Sequence, residues 1–225
     1  MESTNEKSKL WFFENFNFLE SMTKAEKLEL SECSVMKAVK RDKSVYLPHD
    51  ISSRIYFLKE GKVKIVSYSD EGRELIHGIL KAGEIFGELA LAGENRRENF
   101  AMVTEDSVVC QVGVSEFERI LKNNPLLNLE VTKLIGFRLK KIRTRLERMW
   151  FKSAEERIKS LLNELADDHG KETQNGIEIP LRLKHQEIAS LAATTRQTAT
   201  TILNKLVKSG EIEYDRRRIL LKSKL

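Results

Sequence analysis

Five side chains near the C-terminus are of the types that read nucleic-acid bases. Arg196, Gln197, Thr200, Thr201 and Lys205 fall on one side of a segment written QEIASLAATTRQTATTILNKL over residues 186–206. An arginine can pair with both acceptors of guanine, a glutamine with adenine, and a threonine methyl with the methyl of thymine. These groups reach base edges only if a helix carries them into the major groove, so the same segment must supply two closely packed short helices. It does so by spacing: Ile188 and Leu191 are core positions of the first helix and Ala189 is the small residue at the crossing. Ala199 and Ile202 bury the second helix, and Thr195 stands where an N-cap is needed. Three Thr among the outward residues are a poor choice for helix propensity alone, so an ordinary solvated hairpin explains the face less well.

After these helices comes Gly210-Glu-Ile-Glu-Tyr-Asp-Arg-Arg-Arg-Ile-Leu-Leu, a β-hairpin with Arg216, Arg217 and Arg218 around its turn. Beside a helix-turn-helix, three arginines there suit the phosphate backbone. The charge distribution agrees. Residues 1–124 hold 18 basic and 21 acidic side chains, residues 125–150 hold 7 and 2, and residues 177–225 hold 10 and 5. A basic half joined to a slightly acidic half suggests a polyanion-binding module attached to something else.

Other chemistries find little support. Cys33 and Cys110 stand alone, without a CxxC or Cys/His cluster, and read as small buried hydrophobes; two cysteines cannot ligate a four-cysteine cluster. His49, His77, His169 and His185 sit in no axial-ligand context. No nucleophile elbow, P-loop, HExxH or carboxylate pair is present, so the chain does not read as an enzyme and no metal is expected. Glu88, beside Gly87, is the acidic residue in a glycine context and suits a ligand hydroxyl. The opening residues MESTNEKSKLWF are polar, and no uncharged apolar run nears the roughly 18 residues of a membrane span. A cytoplasmic protein without a membrane partner is expected.

The supporting elements follow from pattern. Trp11, Phe12, Phe16 and Leu19 open a helical region, and Thr23 with Glu26 forms a capping-box spacing. From Lys43 to Val114 short Val- and Ile-rich runs are punctuated by Gly61, Gly72, Gly78, Gly83, Gly87 and Gly93, which predicts an antiparallel sandwich or barrel. Helical spacing returns at Ser115, and Pro125 starts a long helix. Along it Ile135, Leu139, Ile142, Leu146 and Met149 recur at alternating four- and three-residue steps. So narrow a stripe, flanked by Arg and Lys, suits packing against a second copy of itself better than packing on the chain's own N-terminal half. Ser153-Ala-Glu-Glu is another capping box and marks a hinge; Asp167 to Gly176 reads as a polar loop and Ile177 to Leu183 as a short strand pair.

With IYFLKEGKVKI (55–65), IFGELAL (85–91), the long helix, the Ser153 hinge and TRQTATTILNKL in view, the chain resembles the cyclic-AMP receptor protein and fumarate-nitrate regulator (Crp/Fnr) family from about Phe12 to Leu221. The resemblance implies an α+β fold: an N-terminal antiparallel β-roll of the cyclic-nucleotide-binding type, a long dimerisation helix and a C-terminal winged helix-turn-helix. The corresponding boundaries are 1–124, 125–152 and 153–225. It implies double-stranded DNA, a second copy of the chain and RNA polymerase as partners. It also implies an effector region comprising Gly87, Glu88, Leu89, Arg96, Arg97, Asn99, Ile142 and Arg143.

In cyclic-nucleotide binders of this kind a Gly-Glu pair holds the ribose and an Arg-Ser or Arg-Thr pair about ten residues on holds the phosphate. Here Glu98 and Asn99 stand at that distance, and Ile142, Arg143 and Thr144 replace a Thr-Ser pair on the long helix. A shift at the Gly93 turn would bring Arg97 to the phosphate, so Arg97 is expected to matter more than Arg96 to an anionic ligand. The recognition helix also departs, with Gln197 and Thr201 where the best-known members have Glu and Arg. The expected protein is a dimeric DNA-binding regulator controlled by a small anionic or nucleotide-like effector, with no cofactor certain. A regulator without a small ligand, and a small-molecule module signalling through protein contacts, stay open. An effector would act by shifting the seam of the long helices and turning the two hinges, setting the recognition helices roughly 34 Å apart.

Overall fold

The computed structural model describes residues 10, 12–14, 16–215 and 218–225. It forms two compact units, the first running to Tyr68 and resuming over His77–Leu139, the second made of Ser69–Ile76 and Lys140–Leu225. Trp11, expected in the first helix, and Arg216 and Arg217 of the wing lie outside the described residues.

The first unit is built on an antiparallel sheet. β1 (Val35–Val39), β6 (Phe100–Gly113), β3 (Arg54–Tyr68) and β4 (Glu74–Lys81) lie side by side in that order; β2 (Ser44–Tyr46) pairs with β6 and β5 (Ile85–Phe86) with β3. β3 and β6 are long for strands of a globular protein, and they curl where the pairing shifts register between Leu58 and Val63. Gly61 sits in that irregular stretch at φ +88°, where a Cβ would fall 2.1 Å from Ser107 Oγ, so only glycine fits the bend.

The expected periodic apolar residues fill two cores. Phe12, Phe13, Phe16 and Leu19 pack with Phe57, Ile85, Phe117, Leu127 and Val131, the Phe13, Phe16 and Phe117 rings each meeting Phe57 edge-on. Tyr46, Tyr56, Leu58, Val63, Phe86 and Val109 form the other. The helix Lys24–Glu32 carries the predicted capping box, Thr23 Oγ1 accepting from the Glu26 amide while the Glu26 carboxylate accepts from the Thr23 amide.

The long helix spans Pro125–Phe151. Leu127 and Val131 anchor its start in the first core, whereas Leu139, Ile142, Leu146 and Met149 are exposed. In the second unit the helix Ala154–His169 begins at a complete capping box on Ser153 and Glu156, and buries Ile158, Leu161, Leu162 and Leu165 as their spacing predicts. One expectation is corrected here. The polar segment Asp167–Gly176 is not a loop throughout: the helix runs on to His169, and β7 (Lys171–Thr173) forms a hairpin with β8 (Gly176–Ile179). The strand expected to reach Leu183 stops at Ile179, because Pro180 has no N–H to continue the ladder. β8 pairs on its other side with β10 (Ile219–Leu221), which pairs with β9 (Ile212–Tyr214), giving a four-stranded antiparallel sheet beside the helices His185–Leu191 and Arg196–Lys208.

Candidate DNA interface and effector region

The helix Arg196–Lys208 starts where the sequence places its cap: Thr195 Oγ1 accepts from the Thr198 amide at 3.1 Å, and Ala199, Ile202, Leu203 and Leu206 are buried. Ala189 of the preceding helix is fully buried, as a close crossing requires. The opposite face carries Arg196, Gln197, Thr201 and Lys205 in the exposed state, with Thr200 half-buried.

These five side chains are in unequal conditions. Arg196 and Gln197 make no side-chain hydrogen bond or ion pair among the described residues, so their donors and acceptors are free for another molecule. Thr200 and Thr201 donate their hydroxyl protons to the carbonyls of Arg196 and Gln197, at 2.8 and 3.1 Å. Lys205 pairs with Glu155 at 2.7 Å across an exposed site, a contact that phosphate can compete for. In the wing, Asp215 N–H donates to the Arg218 carbonyl to close the turn, and the Arg218 guanidinium pairs with Glu178 and Asp215.

Sequence reasoning did not single out His185. Its Nδ1 lies 2.9 Å from Thr200 Oγ1, and its ring centroid is 5.0 Å from that of Tyr214, whose hydroxyl donates to the Leu183 carbonyl. The only available signal was its place at the first turn of the helix that supports the reader. Burial, and then the nearby Arg196 charge, hold its pKa below the ordinary imidazole value. The sign follows: a histidine with a lowered folded pKa favours folding fully above about pH 6.5 and loses that contribution as pH falls through the folded value. The melting temperature of the winged unit is therefore expected to drop on acidification below about pH 6.5, and His185→Gln to flatten that part of the profile in calorimetric scans.

The glycine-glutamate region of the first unit is closed by the protein's own groups. Gly87, at φ +79°, leads into the 3-10 turn Glu88–Ala92, and a Cβ there would meet the Arg54 carbonyl, the Tyr56 ring and the Arg97 guanidinium at 3.0 to 3.1 Å. Arg97 is 2% exposed. Its Nη1 donates to the Gly87 carbonyl at 3.1 Å and to Glu94 Oε2 at 2.9 Å, and its Nη2 to the Arg54 carbonyl at 2.5 Å. The guanidinium carbon stands 4.6 Å from the Tyr46 ring centre, a cation-π contact. Glu88 pairs with Arg138 of the long helix, and Arg138 also donates to the Ile85 carbonyl.

Residues 36–124 match the cyclic nucleotide-binding domain family and residues 156–224 the Crp-like helix-turn-helix domain family. The chain belongs to the Crp/Fnr family. Like the family's members it is a DNA-binding transcription regulator under ligand control, with the α+β architecture of a nucleotide-binding-type roll followed by a helix-turn-helix. It is 28% identical over 187 residues to the global nitrogen regulator of a Nostoc species, covering 82% of this chain and 84% of that one. Among solved structures it matches a CooA variant from Carboxydothermus hydrogenoformans with TM-score 0.71 and 28% identity, covering 85% of this chain and 84% of that one. It also shares the fold of CLP, described as the c-di-GMP responsive global regulator of Xanthomonas campestris, with TM-score 0.76 and 21% identity over 88% and 99% of the two chains.

The residues that the Crp/Fnr resemblance assigned to an effector are distributed unevenly. Gly87, Glu88 and Arg97 lie together, with Arg97 turned inward onto the Gly87 and Arg54 carbonyls. Asn99 accepts from the Tyr46 hydroxyl at 3.0 Å, and Leu89 is exposed. Arg96, one residue from the buried arginine, is exposed and donates to the His49 carbonyl at 2.8 Å. Ile142 and Arg143 belong to the second unit, Ile142 exposed and Arg143 facing Glu147 at 3.5 Å. No group of three or more His, Cys, Asp or Glu suited to a metal occurs among the described residues, and no helix there is long and apolar enough to cross a membrane.

Proposed function

We propose that the chain acts as a cytoplasmic homodimer that reads operator DNA through Thr195, Arg196, Gln197, Thr200, Thr201 and Lys205, with Arg216, Arg217 and Arg218 of the wing holding phosphates. The observation that carries this is the contrast along the recognition helix. Arg196 and Gln197 are exposed and, among the described residues, free of hydrogen-bond and ion-pair partners, on a turn that Thr195 fixes. Pre-set, unpaired donors on a rigid element are what direct base readout requires.

Dimerisation rests on Ile135, Leu139, Ile142, Leu146 and Met149, all exposed in the single chain and aligned on one face of a helix otherwise coated with charge. Trp150, also exposed, flanks this stripe. In this reading residues 1–124 sense, 125–152 dimerise and 153–225 bind DNA. A small effector in the roll changes the seam and thereby the presentation of the recognition helices, and RNA polymerase is the partner through which transcription responds. No catalytic role is assigned.

The test uses an operator selected from genomic fragments by gel shift. Arg196→Ala is expected to weaken that operator about 10- to 100-fold by fluorescence anisotropy, since a good bidentate base contact is worth about 1–3 kcal/mol. Binding to a scrambled duplex should change far less, and circular dichroism should be unaltered. Equal, small losses on both duplexes would overturn the assignment of Arg196 as a base reader.

A further inference from the structure

Of the arginines in the first unit, Arg41, Arg97, Arg119 and Arg138 each pair with a carboxylate. Arg54 and Arg96 do not, among the described residues, and both line one cleft of about 470 Å³ together with His49, Asp50, Tyr46 and Tyr56. A volume of that size lies within the range of roughly 300–1,000 Å³ of small-molecule sites.

The cleft has a laced wall. His49 N–H donates to the Arg97 carbonyl at 2.8 Å, Arg97 N–H to the Asp50 carbonyl at 2.9 Å and Ser52 N–H to the Asn95 carbonyl at 3.0 Å. Ile51 bridges Arg96, and the Arg96 guanidinium holds the His49 carbonyl. His49 itself is kept at φ +69°, a conformation costly for a residue with a side chain and maintained only where its surroundings over-determine it. Asp50, the carboxylate in the cleft, already accepts from the Leu47 amide at 2.8 Å.

We infer that this cleft is the ligand site of the roll, and that it takes a small organic anion bearing a phosphate or carboxylate group. Two guanidinium groups without carboxylate partners match such oxygens in their fork geometry, and neither charge is offset by an ion pair among the described residues. The glycine-glutamate region is otherwise engaged: the Gly87 carbonyl is held by Arg97, and Glu88 by Arg138. The site of an anion therefore moves from Arg97 to the Arg54–Arg96 pair. The inference rests on the proposed effector control of the roll and names where that effector enters.

Calorimetric titration of the full chain with phenyl phosphate, with benzoate and with cyclic AMP tests it without DNA. Phenyl phosphate or benzoate is expected to bind, and Arg54→Ala and Arg96→Ala are each expected to weaken the bound anion at least tenfold, whereas Lys37→Ala, on β1, leaves it unchanged. Phenyl phosphate alone, or benzoate alone, as the tighter ligand identifies the headgroup. Absence of binding by both anions up to millimolar concentration, or binding that survives both arginine substitutions, overturns the inference, as does tight cyclic AMP binding unaffected by them. Anion binding that depends on both arginines but leaves operator affinity unchanged supports the site and removes the effector control on which it was built.

Discussion

Arg97→Leu is expected to destabilise the sensor unit by about 3–5 kcal/mol, the usual cost of removing one partner of a buried ion pair. The reason is what stays behind. Glu94, 11% exposed at its side chain, would keep its charge with only the Ser52 hydroxyl beside it, and the carbonyls of Gly87 and Arg54 would lose their donor. Tyr46 would also lose the guanidinium over its ring, while burial, which pushes this phenol's pKa up, keeps it neutral. Urea unfolding followed by circular dichroism reads the effect. A double variant, Arg97→Leu with Glu94→Leu, should recover a large part of the loss, because no uncompensated charge then remains. A single-variant cost below about 1 kcal/mol would show the pair to be far better hydrated than its burial indicates. Any weaker ligand response of an Arg97 variant must be judged against this loss of stability.

Leu139→Asp combined with Leu146→Asp should convert the proposed dimer to a monomer in sedimentation velocity while leaving the chain's own fold intact. Both side chains are exposed in the single chain, at 65% and 54%, so neither substitution opens a core. In a dimer seam, however, each aspartate would face its copy across an apolar stripe, with like charges desolvated together. A monomer reads a single half-site, and without the second tethered reader operator affinity is expected to fall on the order of 10²-fold or more. Retention of the dimer in this double variant would overturn the seam and point to another surface.

The winged unit was legible because its cues are local. Ala189 and Ala199 at the crossing, Thr195 at the cap and Ile188 and Ile202 at helical spacing are decided within about twenty residues. The roll was legible at the level of class, from glycine punctuation and the Val63–Ile65 alternation, since turns and period 2 are also short-range signals. β7 escaped because Lys171, Glu172 and Thr173 are all exposed; an edge strand with both faces in water has no apolar alternation to display. Arg97 escaped for a different reason. Adjacent arginines look alike in sequence, and only the tertiary structure turns one of them onto Glu94, Gly87 and Tyr46 while its neighbour stays outside. Charged residues are buried by their partners, not by their pattern.

The backbone hydrogen bonds of Thr200 and Thr201 limit what grammar the recognition helix can speak. Each hydroxyl gives its one proton to a carbonyl of its own helix, and Thr200 is further engaged by His185. What remains on offer is lone pairs and a methyl group. At those two positions the helix can take a proton from the amino group of adenine or cytosine, or rest a methyl on thymine, but it has none to give to guanine O6 or N7. Donation is left to Arg196, Gln197 and Lys205, so guanine is legible at the two ends of this face and effectively silent at the threonines between them.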